Sequence, residues 1–107
     1  MLEGQGYTPM ELLLTSLASC SGATVVSILQ KKHKQIDGFK VTACGTKRPE
    51  PPGAFQQINL HFDLQSPDAA APDLERSIQL AEEKHCPVWA MLKGNVEITT
   101  NYSINQK

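Results

Sequence analysis

Apolar and polar residues follow two different rhythms along this chain, and the change comes at Asp37-Gly38. Before it, Leu12, Leu13, Leu14, Leu17, Val25, Val26, Ile28 and Leu29 fall on most faces of a helix, and no charge stands between Glu11 and Lys31. That distribution predicts a long helix buried on nearly all sides. Thr8 is a good N-cap, and Pro9 suits the first helical position because its missing N–H would be unpaired there. Glu11 stands three residues after Thr8, as in a capping box. The helix should therefore open at about Pro9. It should close at the cluster Lys31, Lys32, His33, Lys34, whose charges complement the negative end of the helix dipole.

After Gly38 the period becomes two. Phe39, Val41 and Ala43 alternate with Lys40, Thr42 and Cys44, and Ile58, Leu60, Phe62 and Leu64 alternate with Asn59, His61 and Asp63, so each stretch reads as a strand with one buried and one open face. Between them, Arg48-Pro-Glu-Pro-Pro-Gly53 can extend neither strand, which predicts an antiparallel hairpin with a stiff connection. A loop from Ser66 to Pro72 leads to a second, amphipathic helix from Asp73 to about Lys84, with Leu74, Ile78 and Ala81 opposite Glu75, Glu82 and Glu83. Pro87 breaks that helix and is well placed to begin a short one through Leu92 to the cap Gly94. Val96, Ile98, Thr100, Tyr102 and Ile104 then mark a final strand. The elements describe an α+β fold. At 107 residues and 40% hydrophobic content, residues 1–107 are expected to form a single domain around one modest core.

Composition narrows the partners. A formal net charge of −1 removes the electrostatic case for nucleic acid or an anionic membrane surface. The apolar stretch carries Thr15, Ser16, Ser19, Ser21, Gly22, Thr24 and Ser27 and is read as too polar to span a bilayer. Met1 to Met10 has no Lys or Arg to serve as a signal-peptide n-region, and the helical pattern runs straight through Cys20, so a lipid-anchored Cys20 is disfavoured. Three cysteines is an odd number, which fits reduced thiols in a cytoplasm better than a secreted disulfide scaffold.

The candidate chemistry lies in the thiols. In Lys84-His-Cys-Pro-Val88, Cys86 falls at the N-cap of the short helix, where free N–H groups would stabilise a thiolate and lower its pKa. A small buried residue at a helix junction fits the same local sequence equally well. His85 reads as structural or exposed. Helical spacing places Ser16, Leu17, Cys20, Thr24 and Ser27 on one stripe, a small polar niche around Cys20. Cys44 sits on the polar face of its strand and reads as a bystander, and Trp89 and Met91 read as core. Three cysteines and His33, His61 and His85 raise a zinc site, but no CxxC, HxxxH or HExxH spacing occurs and no metal is expected. No GxGxxG, Walker or GxSxG motif supports a nucleotide cofactor or acyl-transfer hydrolysis.

Tyr-Thr-Pro-Met-Glu-Leu-Leu-Leu opening into a long helix with Cys20, then a hairpin, a helix, and His-Cys-Pro-Val-Trp-Ala-Met-Leu before a final strand, resembles the OsmC/Ohr family over nearly the whole chain. These are osmotically induced and organic-hydroperoxide-resistance proteins, and the wording is most similar to their YhfA-like branch. The resemblance implies an intertwined homodimer, with the two central helices packed between sheets and the thiol sites at the subunit interface. It also implies a thiol peroxidase in which Cys20 attacks a small organic or lipid hydroperoxide, becomes a sulfenic acid, and is resolved by Cys86 as a disulfide. The reductant would be a dithiol, of lipoyl type in the family, and no metal, haem or other cofactor is implied. An alternative is a relative that keeps fold and thiols for redox sensing or binding without peroxidase turnover. In peroxidase members an arginine from an N-terminal strand and a glutamate near the start of the central helix hold the attacking thiolate. Here Met10 stands at the glutamate position, Glu11 is expected to serve the cap, and the domain is expected to be an N-terminally shortened form.

Overall fold

The structure, a computed structural model, describes residues 8–105. Tyr7, at the head of the family-like motif, lies outside the described residues. Helix α1 spans Pro9–Lys31 and opens as the sequence predicts. The Thr8 N–H donates to Glu11 Oε1 at 3.0 Å and the Glu11 N–H donates to Thr8 Oγ1 at 3.2 Å, which satisfies two of the N–H groups that a helix start leaves open. At the other end His33 takes φ 61°. The Lys34 N–H donates back to the Leu29 carbonyl at 3.1 Å and the His33 N–H to that of Gln30 at 3.0 Å, a left-handed cap that glycine usually fills. Lys34 then reaches the Asp68 carbonyl at 3.2 Å and the Asp73 carboxylate at 3.7 Å, tying the end of α1 to the next helix.

Strands β1 (Gly38–Lys47) and β2 (Phe55–Gln65) form the antiparallel hairpin, with Thr42 opposite His61 and Cys44 opposite Asn59. Helix α2 covers Ala71–Leu80, so it starts two residues earlier than the hydrophobic stripe suggests, with Pro72 in its first turn. Asp73, in the first turn, supports the start: the Ala70 N–H donates to Asp73 Oδ2 at 2.9 Å. The predicted single helix also breaks in two, because Ala81–His85 winds as a π turn after Leu80. Helix α3 (Pro87–Leu92) and strand β3 (Glu97–Asn105) complete the described chain. The sheet order is β1-β2-β3, with β3 parallel to β2 and Tyr102 opposite Phe62. The helices between β2 and β3 carry the chain back along the sheet, the crossover that a parallel neighbour requires.

The core lies on one face of this sheet. Ile58, Leu60, Phe62 and Leu64 are buried against Leu17, Val25 and Leu29 of α1, Leu74 and Ile78 of α2, and Trp89 of α3. Helix α1 comes close to β1 at Gly22, where a Cβ would stand 3.0 Å from Val41 Cγ2.

Two burial expectations are corrected. Helix α1 is not buried on nearly all sides within one chain: Leu17, Ser21, Gly22, Val25 and Leu29 are covered, while Leu12 is 39% exposed and Leu13, Leu14, Val26 and Ile28 are only partly buried. A three-stranded sheet and two short helices can cover only one side of a 23-residue rod. By length and apolarity alone α1 would also pass for a membrane span, yet its covered stripe is packed into the core with the sheet and the other helices. Met91 is 70% exposed rather than in the core. It lies two residues from buried Trp89, about 200° around the helix, and so points the other way.

Candidate active site

Cys20 and Cys86 come together from distant parts of the sequence. Cys20 sits midway along α1 and is partly buried; Cys86 is the N-cap of α3 and only 2% exposed. Both thiols are free, and Cys86 lies within hydrogen-bonding reach of Cys20.

The π turn produces this placement. Its wide i→i+5 closure brings the Cys86 N–H onto the Ala81 carbonyl at 3.0 Å, and Cys86 itself is extended, with φ −98° and ψ 105°. Pro87 then fits the first position of α3, and Trp89, 1% exposed, anchors that helix in the core. Single π turns recur at functional sites because they shift the residues beyond them without ending the packing of the helix. Pro87 marks the helix break in the sequence, but no residue before it signals the wider turn.

The electrostatics of Cys86 follow the buried-junction reading and run opposite to the activated N-cap reading, the two alternatives its local sequence leaves open. Burial first, and then the hydrogen bond toward Cys20, push its thiol up to about 11, while the backbone N–H groups of Trp89 and Val88 pull it down. The helix-end donors are therefore present, and desolvation of the thiolate outweighs them. In the reduced site Cys86 is a protonated thiol that can donate toward the Cys20 sulfur.

Of the hydroxyls expected around Cys20, Ser16 and Ser27 are exposed and Thr24 is tied up within the helix. The Thr24 hydroxyl donates to the Cys20 carbonyl at 2.9 Å and the buried Ser21 hydroxyl to the Leu17 carbonyl at 2.8 Å. Hydroxyls on a helix commonly satisfy themselves in this way. One turn past Cys20, a groove of about 310 Å³ is lined by Ala23, Thr24, Ser27, Ile28 and Lys31 of α1 and by His85. His85 is exposed, as the sequence suggested. Met10 lines a separate apolar cavity with Leu13, Phe55, Ile58 and Leu92. Glu11 serves the cap: the Thr8 backbone N–H, and then its hydroxyl, hold the Glu11 carboxyl below its ordinary pKa.

The remaining singled-out side chains lie elsewhere. Cys44 is exposed on the open sheet face. On that face His61 Nδ1 stands 2.9 Å from Asn101 Oδ1 and His61 Nε2 stands 3.2 Å from Asp63 Oδ1. The Ser103 hydroxyl donates to Asp63 and, followed by His61, holds its carboxyl below the usual range. This is a Ser, His and Asp trio, but the hydroxyl's close partner is the carboxylate, with His61 Nε2 farther off at 3.5 Å, so it is not arranged as a histidine-activated nucleophile. Among the described residues, no three His, Cys, Asp or Glu side chains converge on a point that could hold a metal ion.

An α+β chain that draws a helix-borne thiol and a second, helix-junction thiol into one site fits one family model: residues 2–101 match OsmC-like protein. The chain belongs to that family. Among its relatives, Protein YhfA of Escherichia coli (strain K12) is 37% identical over 97 residues, which cover 91% of this chain and 72% of that protein. The hydroperoxide reductase of Mycoplasma pneumoniae is 25% identical over 103 residues, covering 94% and 72%. Among solved structures, that of a hypothetical protein from Aquifex aeolicus VF5 superposes with a TM-score of 0.89 at 32% identity, covering 94% of this chain and 76% of that one.

Proposed function

We propose that this protein is a thiol-dependent peroxidase that reduces organic hydroperoxides to alcohols. The observation that carries the reading is the meeting of Cys20 and Cys86, two free thiols separated by most of the chain. The name of the Mycoplasma relative points to the same chemistry. Cys20, the more accessible thiol, attacks the terminal oxygen of the hydroperoxide as thiolate, releasing the alcohol and leaving a sulfenic acid. Cys86 then attacks the Cys20 sulfur, water leaves, and the Cys20–Cys86 disulfide forms. A dithiol of lipoyl type returns both to thiols in a reducing cytoplasm. The groove beside Thr24 and Ile28 receives the alkyl part of a small organic or lipid hydroperoxide.

The functional unit in this reading is a homodimer. The apolar side of α1 that carries Leu12, Leu13, Leu14 and Val26 is the surface a second copy would cover, since contiguous apolar surface of this kind favours association.

A second reading, redox sensing without turnover, is favoured by one observation. A resolving thiol held up at about 11 supplies little thiolate at neutral pH and resolves slowly. Hydroperoxide consumption separates the two. With catalytic protein, excess cumene hydroperoxide and dihydrolipoamide, many equivalents should be consumed, and none by Cys20→Ser. Consumption that stops at one equivalent supports the sensor, and none at all removes both.

A further inference from the structure

The two sulfurs of the site differ in access, and that difference bears on how an oxidised centre is reopened. Cys86 is 2% exposed, enclosed by the π turn, α1 and the Trp89 end of α3, whereas Cys20 is partly open on α1. Thiol–disulfide exchange needs a thiolate to approach one sulfur in line with the S–S bond, so an enclosed sulfur is a poor target whatever its leaving group.

We infer that a thiol reductant reopens the Cys20–Cys86 disulfide by attacking Cys20, leaving the reductant joined to Cys20 and releasing Cys86. The inference rests on the disulfide proposed above. The incoming thiolate forms a new S–S bond to Cys20 Sγ as the Cys20–Cys86 bond breaks, and its electron pair goes to Cys86 Sγ. The proton that the reductant gave up returns to Cys86, so one thiol is consumed and one is released. A second reductant thiol then attacks the reductant's own sulfur in the mixed disulfide and frees Cys20. Burial of Cys86 also sets the lifetime of that mixed disulfide. Once protonated, a thiol held near 11 returns slowly to attack Cys20, so the adduct persists at neutral pH.

The test uses the full chain carrying Cys44→Ser, which removes the exposed third thiol on the far face of the sheet. Diamide forms the disulfide without any hydroperoxide. A brief exposure to 2-mercaptoethanol, an acid quench, maleimide blocking and non-reducing peptide mapping then locate the adduct. The adduct on Cys20 should exceed that on Cys86 at least tenfold. Equal or greater labelling of Cys86 overturns the inference, as does the absence of a Cys20–Cys86 disulfide after diamide. If reduction outruns trapping, Cys20→Ser and Cys86→Ser in the same background provide the comparison: Cys20 should react with 5,5′-dithiobis(2-nitrobenzoate) at least tenfold faster than Cys86, and comparable rates overturn it. Failure of the same chain to react with cumene hydroperoxide, with the adduct still on Cys20, would remove the peroxidase reading and leave this inference standing.

Discussion

Cys20 and Cys86 lie within reach of each other, yet their surroundings differ in burial, backbone setting and electrostatics. Cys20 lies in the middle of a 23-residue helix whose covered stripe faces the sheet, and it keeps part of its surface open. Cys86 lies buried at a junction between a π turn and a six-residue helix, with a thiol pushed up to about 11. Position at a helix start therefore does not by itself make a reactive thiol. Two backbone N–H groups do aim at Cys86, but withdrawing a thiolate from water is the larger effect. In the proposed cycle the open thiol meets hydroperoxide and the closed one waits as a protonated partner.

Removing each thiol in turn should have the largest effect. Cys20→Ser should abolish hydroperoxide reduction. Cys86→Ser should still take up one oxidation, held as a Cys20 sulfenic acid that dimedone traps and mass spectrometry detects. Equal loss in both variants, with no trapped sulfenic acid in Cys86→Ser, would mean the two roles do not divide as proposed.

The next effect is on rate. Because resolution needs the Cys86 thiolate, and burial raises that thiol, disulfide formation after oxidation of Cys20 should accelerate by up to about tenfold per pH unit above neutrality. Stopped-flow fluorescence of Trp89, the single tryptophan, measures it, and a flat profile would contradict the burial of Cys86.

Trp89 is buried in the core and anchors α3, so Trp89→Ala should destabilise the chain by about 3–5 kcal/mol in denaturant unfolding and, by loosening the helix that Cys86 caps, speed alkylation of Cys86 toward that of Cys20. Linkage gives a smaller signal with a definite sign. The folded-state pKa of Cys86 lies above its ordinary value of 9.0, so the folded chain holds a proton that the unfolded chain has released between pH 9 and 11. Stability of the reduced protein should therefore be intact below about pH 9 and fall as pH rises through about 11; Cys86→Ala should lack that component of the fall. The smallest effect is a control at the far end of α1. His33→Gly relieves the positive φ of the cap and should add about 1 kcal/mol of stability while leaving the reactivity of both thiols unchanged.

How much of this is legible in the sequence depends on the range of the interaction. The Thr8, Pro9 and Glu11 start of α1 and the alternation in β1 and β2 are local patterns, and they appear where the residues place them. The parallel pairing of β3 with β2 is set by the crossover and leaves no mark in β3 itself. The π turn is a tertiary adjustment that lets Trp89 enter the core and Cys86 approach α1, and nothing in Ala-Glu-Glu-Lys-His announces it. The all-round apolarity of α1 suggests burial on every side, but one chain covers a single stripe. Local sequence places Cys86 at the correct cap but leaves an activated thiolate and a small buried junction residue equally open, and burial by neighbours from elsewhere in the chain decides for the second. The pairing of Cys20 with Cys86 is legible through family resemblance rather than through local chemistry.

The most direct test of a two-thiol centre needs neither the physiological substrate nor the reductant. Reduced protein is mixed with one equivalent of cumene hydroperoxide, quenched with an alkylating reagent, and its cysteines are mapped by mass spectrometry. A Cys20–Cys86 disulfide with Cys44 alkylated is the expected result. All three thiols still alkylated after long exposure would contradict it.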